Sequence, residues 1–259
     1  MQNELPLSVV ITTHNRPKNL QALLARLVPF AGHFELFVVS DGAIVPAELL
    51  APFQPCLTYI QIPATGGPAT GRNLGLSSCR GRYVIFCDDD DLLEPEWVSF
   101  FLQQCPAEGH LFYANYRVIR GESFDISTAH LVKTIDLSGY SVRHLNVSNN
   151  LPVGAFAVSR KKTGDIQFLS RLQTHEDWDY LLQVSTVLPM KHVPSIGVSI
   201  FLKPQDTEST ESRNYKNVQM HPFDYLALYR LNRSLDAEIA QARASVLRKF
   251  GLVVPVEAL

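Results

Sequence analysis

Residues 88–91 are four consecutive aspartates, set between the apolar VIFC and LLEPEW. Adjacent like charges repel, so without a cation among them one or more carboxyls is driven toward the neutral form. A hard divalent cation held by one or two of them would neutralise charge developing on a diphosphate leaving group, which is Lewis-acid chemistry. Taken alone, the run reads more readily as a solvated acidic turn in which water screens the repulsion. Its position along the chain changes that balance.

The acidic run ends one of several buried strands. Residues 7–13 (LSVVITT) form a β-branched, nearly continuous apolar run, as expected of a strand covered on both faces. After HNRP, the leucines at 20, 23, 24 and 27 fall at helical spacing, and Pro17 suits a first helical turn. Residues 35–40 (ELFVVS) give a second strand, completing a unit the size of one right-handed crossover. The pattern recurs with a strand over 57–62, a helix over 69–79 and a strand over 82–87, so the fold class is α/β. In such sheets ligands sit beyond the carboxyl ends of the strands. Residues 12–16, 41–42 and 88–91 all lie at those ends and are expected to converge on one crevice.

Composition sets the outer bounds. A chain of 259 residues with 46% hydrophobic and 19% charged residues can bury a substantial core. Its net charge of -2 excludes a nucleic-acid binder relying on a large basic face. No apolar run reaches the roughly 18 residues a membrane span requires, and MQNELPLSVVITT lacks a secretory pattern. A cytoplasmic location is expected, with room for peripheral association at the inner face of the membrane. Cys56, Cys79, Cys87 and Cys105 have no close CxxC pairing and read as free, mostly buried thiols.

Farther along, helices are expected over 94–105 and after residue 175, and strands over 110–119, 153–158 and 193–202. Residues 121–150 give no clear pattern. Residues 203–217 (KPQDTESTESRNYKN) are polar and read as a mobile loop or linker, ordering over bound nucleotide as a lid. This divides the chain into a domain over 1–202, the loop over 203–217 and a helical extension over 218–259. In the last helix Leu235, Ile239, Ala242, Val246 and Phe250 mark an apolar face, and Arg243, Arg248 and Lys249 a polar one.

Five segments, VVITTHNRP, FVVSDGA, GGPATGRNLGL, YVIFCDDDDLLEPEWV and HEDWDYLLQV, stand in the order and spacing of the nucleotide-sugar glycosyltransferases of family 2. Over about residues 7–202 the chain resembles that family, which implies a GT-A-type fold with a mostly parallel central sheet flanked by helices. The resemblance implies metal-assisted, inverting transfer from a nucleoside-diphosphate sugar to a glycan or glycoconjugate hydroxyl. It places Thr12, Thr13, His14, Arg16, Asp41, Gly67, Arg72, Asn73, Asp88 and Asp89 around the nucleotide sugar. His14 reads equally as a loop residue facing water, Asp41 as a turn former, and Gly67 and Arg72 as a glycine turn and a helix-surface arginine.

Within the acidic run the resemblance puts Asp90 on a divalent metal, Mn²⁺ or Mg²⁺, with Asp88 as a second ligand or beside the ribose. Asp89 falls at the pattern's variable position, so its side chain is expected to face solvent and its substitution to matter little. Asp177 would be the general base taking the acceptor's proton, with Glu176, Trp178, Pro152 and Gly154 at the acceptor site, where Trp178 reads more readily as core than as a sugar platform. Glu176 and Asp177 also fit a plain role as acidic residues favoured at a helix N-terminus. Many relatives close on the diphosphate with a basic or histidine-containing segment after the last strand; FLKPQDTEST offers Lys203 but no histidine, so no metal ligand is expected from it. The rival reading is a non-catalytic domain of the same fold that binds nucleotide or glycan.

Overall fold

The computed structural model describes residues 5–63, 66–121, 124–172, 174–202 and 221–259. Its first unit is β1 (Leu7–Thr13), α1 (Pro17–Leu27) and β2 (Glu35–Ser40), followed by the short α2 (Ala47–Leu50) and β3 (Leu57–Gln61). Next come α3 (Gly67–Ser78), β4 (Tyr83–Asp88), β5 (Asp91–Leu93) and α4 (Pro95–Gln104). The second half contains β6 (Leu111–Arg120), β7 (His130–Ile135), α5 (Val142–Leu145), β8 (Phe156–Ser159) and α6 (Arg160–Thr163). It ends with α7 (Glu176–Val187), β9 (Met190–Leu202), α8 (His221–Leu231) and α9 (Ala237–Lys249).

One sheet runs through the molecule in the order β3-β2-β1-β4-β8-β6-β9-β5, with β7 pairing on β6. The first four strands of that order are parallel. Beyond β4 the sheet is mixed: β8 pairs antiparallel with both β4 and β6, β9 runs parallel to β6, and β5 runs antiparallel to β9. Alternation along the strands sends Val10, Phe37, Val84 and Phe86 to one face and Val9, Leu36, Val38 and Ile85 to the other. Each face is covered by helices, so both sets are buried. On α1, Leu20, Leu23, Leu24 and Leu27 are the buried face, each contributing about 1.5–3 kcal/mol by burial. On α3, a Cβ at Gly75 would lie 2.4 Å from Val10 Cγ1 and one at Gly71 2.8 Å from Thr12 Cγ2. Only glycine lets this helix lie so close to β1, and that approach carries Arg72 to the end of the sheet.

Three sequence expectations change in the second half. Residues 153–158 open with a 3₁₀ turn, Val153–Ala155, before β8 begins. The unpatterned 121–150 stretch contains β7 and α5, both short and β7 largely exposed. In α9 the buried residues are Ala240, Arg243, Ala244 and Leu247, while Leu235 precedes the helix fully exposed and Phe250 follows it at 43% exposure. Arg243, expected on the polar face, is completely buried. Its guanidinium donates to the carbonyls of Asn146, Asn232 and Leu259 at 2.6–2.9 Å and lies 4.8 Å from the Tyr229 ring centre. Carbonyl oxygens thus stand where the helical pattern anticipated solvent. The expected lid over 203–217 lies outside the described residues. Among the described residues no helix is long and apolar enough to cross a membrane. Of the free cysteines, Cys79 and Cys87 are buried, Cys56 is half-buried and Cys105 exposed.

Candidate functional site

Register brings the polar segments together. Thr12 stands opposite Val39 of β2 on one side and Asp88 of β4 on the other, and Thr13 stands opposite Ser40. The ends of three adjacent parallel strands therefore deliver residues 12–16, Asp41 and the acidic run to one edge. A cleft of about 210 Å³ opens there, lined by Thr12, Thr13, His14, Arg16, Asp41, Gly67, Pro68 and Asp88 to Asp90. His14 Nδ1 lies 2.7 Å from an Asp41 oxygen, so the ring and the carboxylate form one rim.

The four aspartates have four different environments. Asp88 accepts from Thr12 Oγ1 at 2.7 Å and from Arg72 Nη2 on both oxygens, at 2.9 and 2.8 Å. Burial works to raise this carboxyl, but Arg72 and Thr12 outweigh it and hold it below its ordinary range. Asp89 does not face solvent. It is 2% exposed and accepts from Thr13 Oγ1 at 2.7 Å, the His14 backbone N–H at 3.2 Å and Arg16 Nη1 at 2.8 Å. Burial pushes its carboxyl up, with the Thr13 and Arg16 hydrogen bonds acting against that. It pins the β1 loop rather than idling beside it, which corrects the sequence expectation. Asp90 is the most exposed of the four and lies 3.1 Å from Arg16 Nη1, and Asp91 is buried at the start of β5.

The acidic run also meets a second, larger cavity of about 420 Å³, reached past Arg16, Pro68, Asp88 and Asp90, which line both. Its walls include Arg72, Tyr116, Asn149 to Val153, Thr174 to Trp178, Ile200 and Tyr225. Asp177 occupies the first turn of α7, where its Oδ1 accepts the Trp178 backbone N–H at 2.8 Å and its Oδ2 the Asn149 amide at 3.2 Å. Burial, and then the neighbouring Glu176 charge, raise the Asp177 carboxyl to about 7, against the pull of Arg72 and the Trp178 N–H. A carboxylate near 7 at the wall of a cavity is matched to proton abstraction at neutral pH.

Arg72 joins the two compartments. Buried to 2% exposure, it donates to Asp88 and, through Nη1, to Glu176 Oε1 at 2.8 Å. Burial alone would weaken its charge; Asp88, Glu176 and Asp177 reverse that and hold it cationic. It is not a surface arginine.

Two expected site residues lie elsewhere. The Asn73 amide is engaged with the Phe168 backbone, donating to its carbonyl and accepting its N–H at 2.8 Å each, so it anchors the chain beneath α3. Gly154 is buried under β9, where a Cβ would come 2.8 Å from Val198 Cγ2; it sets packing, while Pro152 next to it lines the cavity. Trp178 is wholly buried and donates its indole N–H to the Leu145 carbonyl at 2.7 Å, so it forms the cavity's floor. Asn149, Tyr116 and Tyr225 were not singled out from sequence. Asn149 opens the segment NNLPVGAF (149–156), which also holds Pro152 and Gly154, but Tyr225 follows a polar stretch and nothing local ties it to a site 48 residues earlier.

Among the described residues no group of three or more His, Cys, Asp or Glu side chains is arranged to hold a metal ion. The donor set nevertheless fits one mode of binding. Magnesium-like sites use one or two carboxylates and take their remaining ligands from phosphates and water. Asp90, at the junction of the two compartments, is placed for that, and Asp88 beside it has both oxygens on Arg72.

A model of the family described as glycosyl transferase family 2 matches residues 8–165. An uncharacterized glycosyltransferase of Haemophilus influenzae is 24% identical over 214 residues, covering 80% of this chain and 72% of its own. The crystal structure of S. aureus TarS 1–349 in complex with UDP-GlcNAc superposes with a TM-score of 0.65 at 18% identity, over 95% of this chain and 73% of that one. A longer TarS chain gives a TM-score of 0.64 at 18% identity, and this chain spans 44% of it. At that identity the likeness to TarS is one of fold.

Proposed function

Since the chain belongs to glycosyl transferase family 2 and carries its GT-A-type α/β fold, we propose that a nucleoside-diphosphate sugar occupies the first cleft and is transferred to a glycan or glycoconjugate hydroxyl in the second cavity, with inversion at the anomeric carbon. The observation that carries this reading is the placement of Asp177. It faces the compartment that adjoins the acidic run, with its proton affinity raised toward neutrality. The UDP-GlcNAc held by the similar S. aureus structure supports a nucleotide-sugar donor.

In this reading His14 and Asp41 flank the base and ribose, and Asp89 keeps the β1 loop in the shape that lets them do so. Asp90 would hold a divalent cation together with the donor's phosphate oxygens, and when bound the cation neutralises charge on the departing diphosphate. Asp177 takes the acceptor's proton as its oxygen attacks the anomeric carbon from the face opposite the diphosphate, which inverts the centre. Glu176 and Arg72 fix the helix end that presents this base.

A thermal-shift panel of nucleoside-diphosphate sugars with and without Mn²⁺ tests the donor assignment, since a ligand that binds the native state raises the midpoint. A shift for one base and sugar that depends on Mn²⁺ and is lost in Asp90→Asn is the expected result. No shift with any nucleotide sugar would overturn the reading.

A further inference from the structure

The second cavity differs in charge and texture from a phosphate-binding site. Its lining carries five carboxylates, Asp88, Asp90, Asp91, Glu176 and Asp177, against two guanidinium groups, Arg16 and Arg72. Both guanidiniums lie on carboxylates of the same site. Among the described residues, an anionic acceptor entering here meets net repulsion in a partly desolvated space. Away from that charge the wall is aromatic and aliphatic, with Tyr116 on β6, Leu151, Pro152, Ile200 on β9 and Tyr225 on α8.

Tyr225 comes from the C-terminal helix pair, which is fastened to the elements bearing the base. Its ring packs edge-on to Trp178 at 5.0 Å and to His175 at 4.9 Å. Thr174 donates to Asp224 at 2.5 Å, Asn232 to Asp179 at 2.8 Å, and Tyr229 to the Val147 carbonyl at 2.6 Å. Arg243 holds the Asn146 carbonyl at 2.8 Å, three residues before Asn149. The helix pair therefore clamps both the start of α7 and the loop that orients Asp177.

We propose that Tyr225 and Tyr116, which reach the cavity at 9% and 7% exposure, border the acceptor position, and that the acceptor moiety is a neutral saccharide touching those ring atoms with a hydroxyl toward Asp177. The helix pair is thereby part of the acceptor site. This rests on the reading of the second cavity as the acceptor side. An aromatic and aliphatic wall suits the apolar C–H surface of a sugar ring, while Asn149, Asn150 and Thr174 supply hydrogen bonds to its hydroxyls.

Saturation-transfer NMR on the full chain with cellobiose, N,N′-diacetylchitobiose and glycerol 3-phosphate tests it. At least one neutral disaccharide is expected to bind and glycerol 3-phosphate is not. Tyr225→Leu and Tyr116→Leu, on different elements, are each expected to weaken disaccharide binding roughly five- to tenfold. The thermal midpoint of each variant reports whether it has folded. Preference for glycerol 3-phosphate, no binding of either disaccharide, or unchanged disaccharide affinity in a folded variant would overturn the proposal. Nucleotide-sugar thermal shifts read the first cleft independently, so their loss would instead count against the functional reading on which this proposal rests.

Discussion

The first cleft is assembled from the carboxyl ends of three adjacent parallel strands within the first ninety residues, and its side chains bond to one another across that register. The second cavity shares Arg16, Pro68, Asp88 and Asp90 with it and is completed by β6, the 149–153 segment, α7, β9 and α8 from the rest of the chain. The family match ends at residue 165, before Asp177 and before the helix pair. A compartment built by strand register carries its chemistry in compact motifs. One built from distant segments depends on how late elements pack, and its specificity residues need not form any motif.

Asp177→Asn gives the sharpest division between the two compartments. Removing a general base lowers transfer by about 10²- to 10⁴-fold, while nucleotide-sugar affinity, which we assign to the first cleft, is expected to persist. Turnover with the true acceptor, set beside donor binding, checks this. Near-normal turnover would move the base elsewhere and leave Asp177 as a helix-terminal charge.

Asp90→Asn is expected to act on the other compartment. Loss of one charge-bearing ligand weakens metal-dependent nucleoside-diphosphate binding by about 1.5–3 kcal/mol, or roughly ten- to a hundredfold. Titration calorimetry with and without Mn²⁺ reads it. Mn²⁺-dependent affinity equal to that of the unsubstituted protein would remove Asp90 from the metal.

Asp89→Asn tests what the structure revised. The substitution keeps the size of the side chain but removes a buried charge that Arg16, Thr13 and the His14 N–H all address. A stability loss of about 1–3 kcal/mol is expected, at roughly 2–4 °C in melting midpoint per kcal/mol for a chain of this size. An unchanged midpoint would restore the solvent-facing reading.

The same contrast explains what was legible in the sequence. The crossover units, the crevice and the placement of Asp41 and Asp88 to Asp91 followed from apolar runs ending in polar segments, because strand register is a local consequence of alternation. Asp89 was misjudged because a side chain's direction at a strand end depends on the neighbouring loop, here residues 13–16, and not on its own spacing. Arg243 was misassigned because its partners are carbonyl oxygens of residues 146, 232 and 259, none of which a helical wheel contains. Tyr225 was missed for the related reason that its site is completed by residues far earlier in the chain.

Asn149→Ala carries the smallest expected effect and probes the seam within the second cavity. Its amide donates to Asp177 Oδ2 at 3.2 Å, a long bond that favours the charged form of the carboxylate. The other charged groups acting on Asp177 are Glu176 and Asp88, which raise its proton affinity, and Arg72, which lowers it. Removing the amide leaves those in place and lets the carboxyl rise further above about 7. Less of it is then ionised at any pH below the new value, so transfer should fall there and recover as pH increases. A net hydrogen bond of about 0.5–1 kcal/mol corresponds to under one pKa unit, or roughly a two- to threefold loss at pH 7 that grows to about two- to fivefold well below it. By about pH 9, two units above the wild-type value, both enzymes should hold an ionised base and the difference should vanish. A loss that stays constant from pH 6 to 9 would mean that Asn149 orients the acceptor or the base without tuning its charge, and the pH–rate profile of transfer separates the two.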